Sequence, residues 1–493
     1  MEDFLLAVDI GTTNVKGALF QVDEGKAIET FSQRITTYSD ERRGAAEQDP
    51  EEIYRAFEKV LGYFAGKGYS KKIGAIFLSS QMHAFGTLSM EGRPSTRLLT
   101  YFDTRSREVL PLLNRVGYDL YLETGCPPLH VYPLAKIILA RSRGWISRAD
   151  KVLLSAKDYV ILKATGAHVL DLSTASGSQM LNVRTRKWSS LALELGGVDE
   201  NQLPDLVEGS EKPLEISPML AKKMGLPEDT EVYAGVSDAS ANQFGVGATK
   251  PDTVAINLGT SAAVRFLTDK PVFDDERMRF FLYYAGSGKY LAGGAVNNGG
   301  IVVEWFLRSL GRLESEFSAV PGLDAYRLVD SLASTSPPAS NGLIALPFLH
   351  GGERFPIRNP DAKCIIYGLQ FHHRRSDILR ALLEGVAYTL KMIYDALCEH
   401  GLSARLAKIG GGASSLTVWR QIIADVFQMP VHRVKSVEST LLGSLIHYAN
   451  ARGALREFAL PEDVTQPIEE NRETYANAYA RYLKLIEKLS EFV

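Results

Sequence analysis

The chain has 493 residues, 45% of them hydrophobic and 23% charged, which excludes wholesale disorder and a fibrous fold. Lysine plus arginine number 55 against 58 acidic residues, and the net charge of −3 argues against a nucleic-acid binder that relies on counterion release. Three scattered cysteines, Cys126, Cys364 and Cys398, form no CxxC pair, so neither a disulfide framework nor a cysteine zinc site is expected and a reducing compartment fits best. Acid near the start (Glu2, Asp3) does not suit a secretory leader, and no apolar run approaches the ~20 residues of a membrane helix. The expectation is a cytoplasmic protein with no membrane or nucleic-acid partner, built from two or three domains.

In chain order, Leu5-Leu6-Ala7-Val8 reads as a strand that runs into Asp9-Ile10-Gly11-Thr12-Thr13-Asn14-Val15-Lys16. Asp49 as N-cap, Pro50 at N1 and two acids predict a helix start, with Ile53, Phe57, Val60, Leu61 and Phe64 as its buried stripe and Gly66 or Gly68 as its stop. Ile73 to Leu78 reads as a buried strand ending at Ser79-Ser80-Gln81-Met82-His83, and ligands of open α/β sheets sit at such carboxyl ends. A strand through Val232 leads to Ser237-Asp238. Val254-Ala255-Ile256, then Asn257-Leu258-Gly259-Thr260-Ser261, repeats the opening pattern, with Gly259 standing 248 residues after Gly11. That spacing suggests two related domains rather than a solenoid. Ser376 or Asp377 is expected to cap a long helix that stops at Gly401. A strand to Ile409 then meets Gly410-Gly411-Gly412-Ala413, and a helix through Trp419 to Phe427 is expected to end at Pro430.

These segments carry groups suited to phosphate chemistry. A Gly-Thr turn lets backbone N–H groups and hydroxyls approach phosphate oxygens. Asp9 can hold a magnesium ion and Lys16 adds positive charge. The second turn carries Asn257 where the first has Asp9, and no GxxxxGK[ST] is present, so this is not a P-loop protein. Asp238 is either a general base or a helix N-cap. Gln81, Met82 and His83, with Asp103 and Arg105, suit a polyhydroxylated ligand, although Asp103 and Arg105 could equally form an internal ion pair.

Taken together, these motifs resemble the FGGY carbohydrate kinases. The likeness runs from Asp9 to about Gly453 and includes Pro133-Leu134-Ala135-Lys136, Gly351-Gly352-Glu353-Arg354 and Arg380-Ala381-Leu382-Leu383-Glu384-Gly385. It implies an α/β fold of two ribonuclease-H-like domains, as in actin, sugar kinases and chaperone ATPases, with a central interdomain cleft. The expected boundaries are 1–245 and 246–493. The implied activity is transfer of the γ-phosphoryl group of ATP, with Mg2+, to an alcohol of a sugar, polyol or sugar acid. The resemblance assigns Asp238 as base and Asp9 to the metal. It assigns the nucleotide to Gly11, Thr12, Thr13, Asn14, Lys16, Gly259, Thr260, Ser261, Gly300, Gly411, Gly412 and Ala413. The sugar falls to Gln81, Met82, His83, Asp103, Arg105 and Asp238.

Asn297-Asn298-Gly299-Gly300-Ile301 and Gly125-Cys126-Pro127 look most like the gluconokinase branch, which implies D-gluconate converted to 6-phosphogluconate. Xylulokinases share Gln81-Met82-His83 and Lys157-Asp158-Tyr159 and are the next reading. A gluconate carboxylate needs a cation, and Arg105, Lys157, His83 and Arg354 are the candidates. Tyr101 and Leu139 stand where relatives carry Trp, and Cys364 replaces a small residue. The rival class is a non-catalytic or chaperone-like ATPase on the same fold. A homodimer is left open.

Overall fold

A computed structural model describes residues 4–40, 42–317, 324–350, 352–434, 438–454 and 462–489, so Gly351 lies outside the described residues. The opening apolar run forms β1 (Phe4–Ile10), which turns at Gly11 into the antiparallel β2 (Asn14–Gln21) and continues to β3 (Lys26–Arg34). On its other side β1 pairs in parallel with β4 (Ile73–Ser80), and β4 pairs in parallel with β5 (Glu231–Ser237). A short Leu214–Glu215 strand completes the sheet, ordered Leu214–Glu215, β5, β4, β1, β2, β3.

The central strands are apolar at nearly every position because both faces are covered. Leu6, Val8, Ile10, Ile76 and Leu78 share a core with Ile53, Phe57, Val60, Leu61 and Phe64 of the helix Pro50–Gly66. That helix begins as expected, with the Asp49 carboxylate accepting the Glu51 N–H at 2.9 Å. Leu5 and Ala7 alternate to the opposite side and are equally buried. The helix Ser439–Ala451 packs against β1 and β4.

The second half repeats the plan. Here β6 (Thr253–Leu258) is antiparallel to β7 (Ala262–Thr268) and parallel to β8 (Leu406–Gly410), as β1 is to β2 and β4. Beyond β8 lie β9 (Val431–Val434), parallel to it, and β10 (Glu462–Thr465), antiparallel to β9. The repeat read from Gly11 and Gly259 is therefore a repeat of structure.

The chain forms two compact units, each drawn from separated stretches of the sequence. The first holds Met1–Gly247, Leu267–Leu291 and Val437–Ala459. The second holds Ala248–Phe266, Ala292–Ser436 and Leu460–Val493. Two packing relations return the later segments to the first unit. The Leu282 N–H donates to the Gly125 carbonyl at 2.8 Å, and the Tyr132 and Tyr283 hydroxyls meet at 3.0 Å. The helix Ser439–Ala451 lies so close to the helix Asp238–Gly245 that a Cβ at Gly443 would come within 1.7 Å of the Ala241 carbonyl.

Two helix boundaries differ from expectation. The helix Arg375–Glu399 starts upstream of Ser376, with Arg374 as N-cap, because Asp377 reaches back to accept the Arg374 N–H at 2.7 Å. The helix Thr417–Phe427 ends before Pro430, at Gln428 in the left-handed region with φ of 54°. Among the described residues no helix is long and apolar enough to cross a membrane.

The helix contact yields a paired prediction. Gly443→Ala should lower stability by about 1–3 kcal/mol or more through overpacking. Gly62→Ala, an exposed helix position where a Cβ meets nothing within 4 Å, should raise it by roughly 0.5–1 kcal/mol. Urea unfolding of both variants checks this, and equal effects would contradict it.

Candidate functional site

The parallel register decides which residues meet at the sheet edge. Asp9 stands beside Ser79, and Ile10 and Ser237 both stand beside Ser80. The three strands therefore finish level, and Gly11, Gln81 and Asp238 leave the same edge, where ligands of such sheets are read. The Gln81 N–H donates to the Ile10 carbonyl at 2.9 Å and ties two of these ends together.

Asp9 projects from this edge. Its Oδ1 accepts the Ser79 hydroxyl at 2.8 Å. Burial pushes its carboxyl above the usual range, offset in part by that hydrogen bond and by Lys16. Lys16 lies opposite Asp9 in the hairpin register, and its Nζ sits 2.6 Å from both carboxylate oxygens of Glu438. The turn between them is anchored through its carbonyls. Gly11 N–H donates to Asn14 O at 3.0 Å, and Thr12 O accepts from Gln48 Nε2 at 2.6 Å and from Thr37 Oγ1 at 3.2 Å. The Thr13 carbonyl accepts the Ile35 N–H at 2.9 Å, and Thr13 itself is exposed.

Gln81 turns inward and donates to Gln48 Oε1 at 2.7 Å, so it braces the Gly11 turn from beneath. Met82 lies against Gly177, where an added Cβ would stand 2.1 Å from its Cε. His83 adopts φ of 69°, a left-handed conformation that a non-glycine residue holds only when its surroundings enforce it. Three contacts do so. Nδ1–H donates to the Gly177 carbonyl at 2.7 Å, the ring meets Tyr132 edge-on at 5.2 Å, and the His83 carbonyl accepts from Lys136 Nζ.

Lys136 also donates to Thr100 O at 2.7 Å, which joins the His83 segment to the Asp103 segment. It is fully buried, and desolvation pulls its pKa down to about 7. Sequence reading noticed Lys136 only as part of a motif. The available signal was a lone cation in the apolar stretch Pro133 to Ala140.

Asp103 and Arg105 form the internal ion pair that the sequence left as an alternative. Asp103 is fully buried, accepts the Ala46 N–H at 3.0 Å and lies 2.6 Å from Arg105 Nη2. Arg105 Nη2 also meets Glu47 at 2.6 Å. Asp103 therefore orients Arg105 rather than facing a ligand itself. Lys157, a candidate partner for a substrate carboxylate, is fully buried with Nζ 2.5 Å from Asp171 Oδ2, and is removed from that role.

Asp238 is not the cap of its helix. Ser237 is, accepting the Ser240 N–H at 3.2 Å, while Asp238 occupies the first helical position and is partly exposed.

In the second unit the turn after β6 is closed by two other glycine segments. The Gly300 N–H donates to Gly259 O at 2.7 Å, and the Gly299 and Ile301 N–H groups donate to Thr260 O at 3.1 and 3.2 Å. Gly300 immediately precedes the helix Ile301–Ser309. Any Cβ at Gly300 would lie 2.7 Å from Gly259 O, and one at Gly411, whose φ is 89°, would lie 2.4 Å from Leu258 O. The three turns thus pack around Leu258 to Thr260, with Ala413 beside Gly300 and Gly412 facing open space. Asn257, equivalent to Asp9, stands beside Gly410, so this copy has neither the carboxylate nor the serine of the first.

Sequence reading also gave Glu353 no role. Its buried carboxyl, pushed up to about 7 by desolvation, accepts the Asn297 N–H at 2.7 Å and Asn298 Nδ2 at 3.2 Å, and so fixes the segment leading to Gly300.

Two level-edged repeats bearing glycine turns define an actin-like α/β phosphotransferase. Residues 4–245 match the FGGY family of carbohydrate kinases, N-terminal domain, and residues 254–451 match its C-terminal domain. The chain belongs to the FGGY family of carbohydrate kinases, enzymes that transfer a phosphoryl group from ATP to an alcohol group. It is 33% identical to a gluconokinase of Bacillus subtilis (strain 168) over 98% of this chain and 96% of that one. It is 26% identical to a xylulose kinase of the same organism over 96% of this chain and 93% of that one. The crystal structure of a gluconate kinase from Lactobacillus acidophilus superposes with a TM-score of 0.89 at 29% identity, covering 99% of this chain and 98% of that one.

The buried pair generates a prediction. Asp103→Ala leaves Arg105 with Glu47 alone and strands the Ala46 N–H. It should lower stability by on the order of 3 kcal/mol, read by denaturant unfolding. A loss under about 0.5 kcal/mol, the scale of an ordinary surface change, would contradict the assignment.

Proposed function

We propose that this carbohydrate kinase phosphorylates D-gluconate to 6-phosphogluconate, with Asp238 as general base. The observation that carries the base assignment is the pairing of Ser237 as cap with Asp238 at the common strand edge. Ser237 caps the helix, and Asp238 stands in its first turn, partly exposed, where the three strands end. In the reaction the substrate hydroxyl oxygen bonds to the γ-phosphorus, the bridging oxygen leaves with ADP, and the hydroxyl proton passes to the Asp238 carboxylate. The protein's share is positioning and charge neutralisation.

The phosphate-binding segments are Gly11, Thr12, Thr13, Asn14 and Lys16 in the first unit and Gly259, Thr260 and Ser261 in the second. Gly300, Gly411, Gly412 and Ala413 border the nucleotide. The close packing of Gly300 and Gly411 and the open side of Gly412 suit a ligand that approaches the backbone.

Asp9 would hold Mg2+, whose chemistry is to neutralise phosphate charge. The fit is physical, because a carboxylate whose burial disfavours its own charge gains from a cation. Among the described residues no cluster of three or more His, Cys, Asp or Glu could cage a metal. That suits Mg2+, which binds through one or two carboxylates, water and substrate phosphates.

The higher identity to a gluconokinase than to a xylulose kinase supports gluconate. With Lys157 committed elsewhere, Arg105 and His83 are the first-unit partners proposed for its carboxylate, while Gln81 and Met82 shape the sugar side.

ADP release is to be measured over gluconate, xylulose, ribulose, glycerol and erythritol, scored by kcat/KM. Gluconate should lead, and a higher value for xylulose would overturn the substrate reading. Asp238→Asn should lower kcat by about 10²–10⁴-fold with nucleotide affinity nearly unchanged, and near wild-type turnover would remove Asp238 as the base.

A further inference from the structure

We propose that the buried pair Lys157–Asp171 is a positioning device for Asp238, fixing the end of β5 that leads into it. This rests on the reading of Asp238 as the base.

The pair is expensive where it stands. Lys157 is the second residue of the helix Ala156–Thr165, where the macrodipole disfavours a cation, and both partners are almost fully removed from water. Apolar residues of similar volume often match or exceed such a pair in stability. Its value has to be sought in what it touches.

Both partners lead to the same three residues. Lys157 Nζ donates to the Val236 carbonyl at 2.9 Å, two residues before Asp238. Asp171 N-caps the helix Leu172–Ser176 through the Thr174 N–H at 2.9 Å. That helix presents Ser173, whose Oγ accepts the Ser237 N–H at 3.2 Å and meets the Ser237 hydroxyl at 2.8 Å. Residues 236 and 237 are thus gripped by the two arms of one ion pair, and Asp238 follows directly.

Burial pulls the Lys157 pKa down, and the nearby carboxylates, Asp171 first, oppose that pull. Asp171 and Lys157 compensate each other in burial. Asp158 is engaged by the Leu154, Ser155 and Tyr159 N–H groups.

The test is a double-mutant cycle on the full chain, read as kcat with KM for ATP and gluconate. Lys157→Met should lower kcat at least tenfold, each KM should hold within about threefold, and Lys157→Arg should recover part of the loss. In the Asp238→Asn background Lys157→Met should change residual kcat by less than about threefold, because the group it serves is gone. The same loss in both backgrounds, or a loss confined to KM, would overturn the proposal. If instead Asp238→Asn turns over like the wild type, the base assignment itself fails, a separate result. Should Lys157→Met not fold, Ser173→Ala takes its place in the cycle, with a smaller loss expected in the wild type and none in Asp238→Asn.

Discussion

Hydrogen bonding along β1, β4 and β5 sets the level at which each strand ends, and that level decides what the enzyme can assemble. Pairing Asp9 with Ser79 and placing Ile10 and Ser237 both beside Ser80 brings the Gly11 turn, the Gln81 segment and Asp238 out at one edge. A slip of one residue would turn each side chain to the opposite face and bury what must be presented. The second unit obeys the same rule with β6 and β8, and there the Gly259 turn is closed by Gly300 and Gly411. Only glycine permits that spacing, since any Cβ at those two positions meets a carbonyl oxygen.

Around this edge the protein spends burial on polar groups rather than on apolar contacts. Lys136 and Lys157 are both fully buried, and each donates to main-chain carbonyls beside a proposed functional segment. Asp103 restrains Arg105 from below. Such arrangements contribute little net stability. What they contribute is fixed geometry, which phosphoryl transfer needs more than it needs reactive groups. The two copies have also diverged in charge. The first keeps Asp9 and the second has Asn257 at the equivalent place, so the two strand ends differ by one negative charge.

Much of this was legible in the sequence, for identifiable reasons. The repeat showed because a Gly-Thr turn after an apolar run is a local signal, and the helix at Pro50 showed because cap, proline and acids agree. Asp238 stayed ambiguous because Ser237 and Asp238 are both good caps, and only the hydrogen bond to Ser240 separates them. The roles of Lys136 and Lys157 were hidden, since lysine is ordinarily exposed and nothing local announces a buried one. The return of residues 267–291 and 437–459 to the first unit was hidden too, because it depends on contacts with partners far away in sequence, such as Gly125 with Leu282 and Gly443 with Ala241.

A crystal structure of the Asp238→Asn protein with gluconate and a non-hydrolysable ATP analogue addresses the central claim most directly. The account predicts the sugar at the carboxyl ends of β1, β4 and β5, with one hydroxyl within hydrogen-bonding distance of position 238. A sugar seated elsewhere, with position 238 contacting only its own helix, would contradict it.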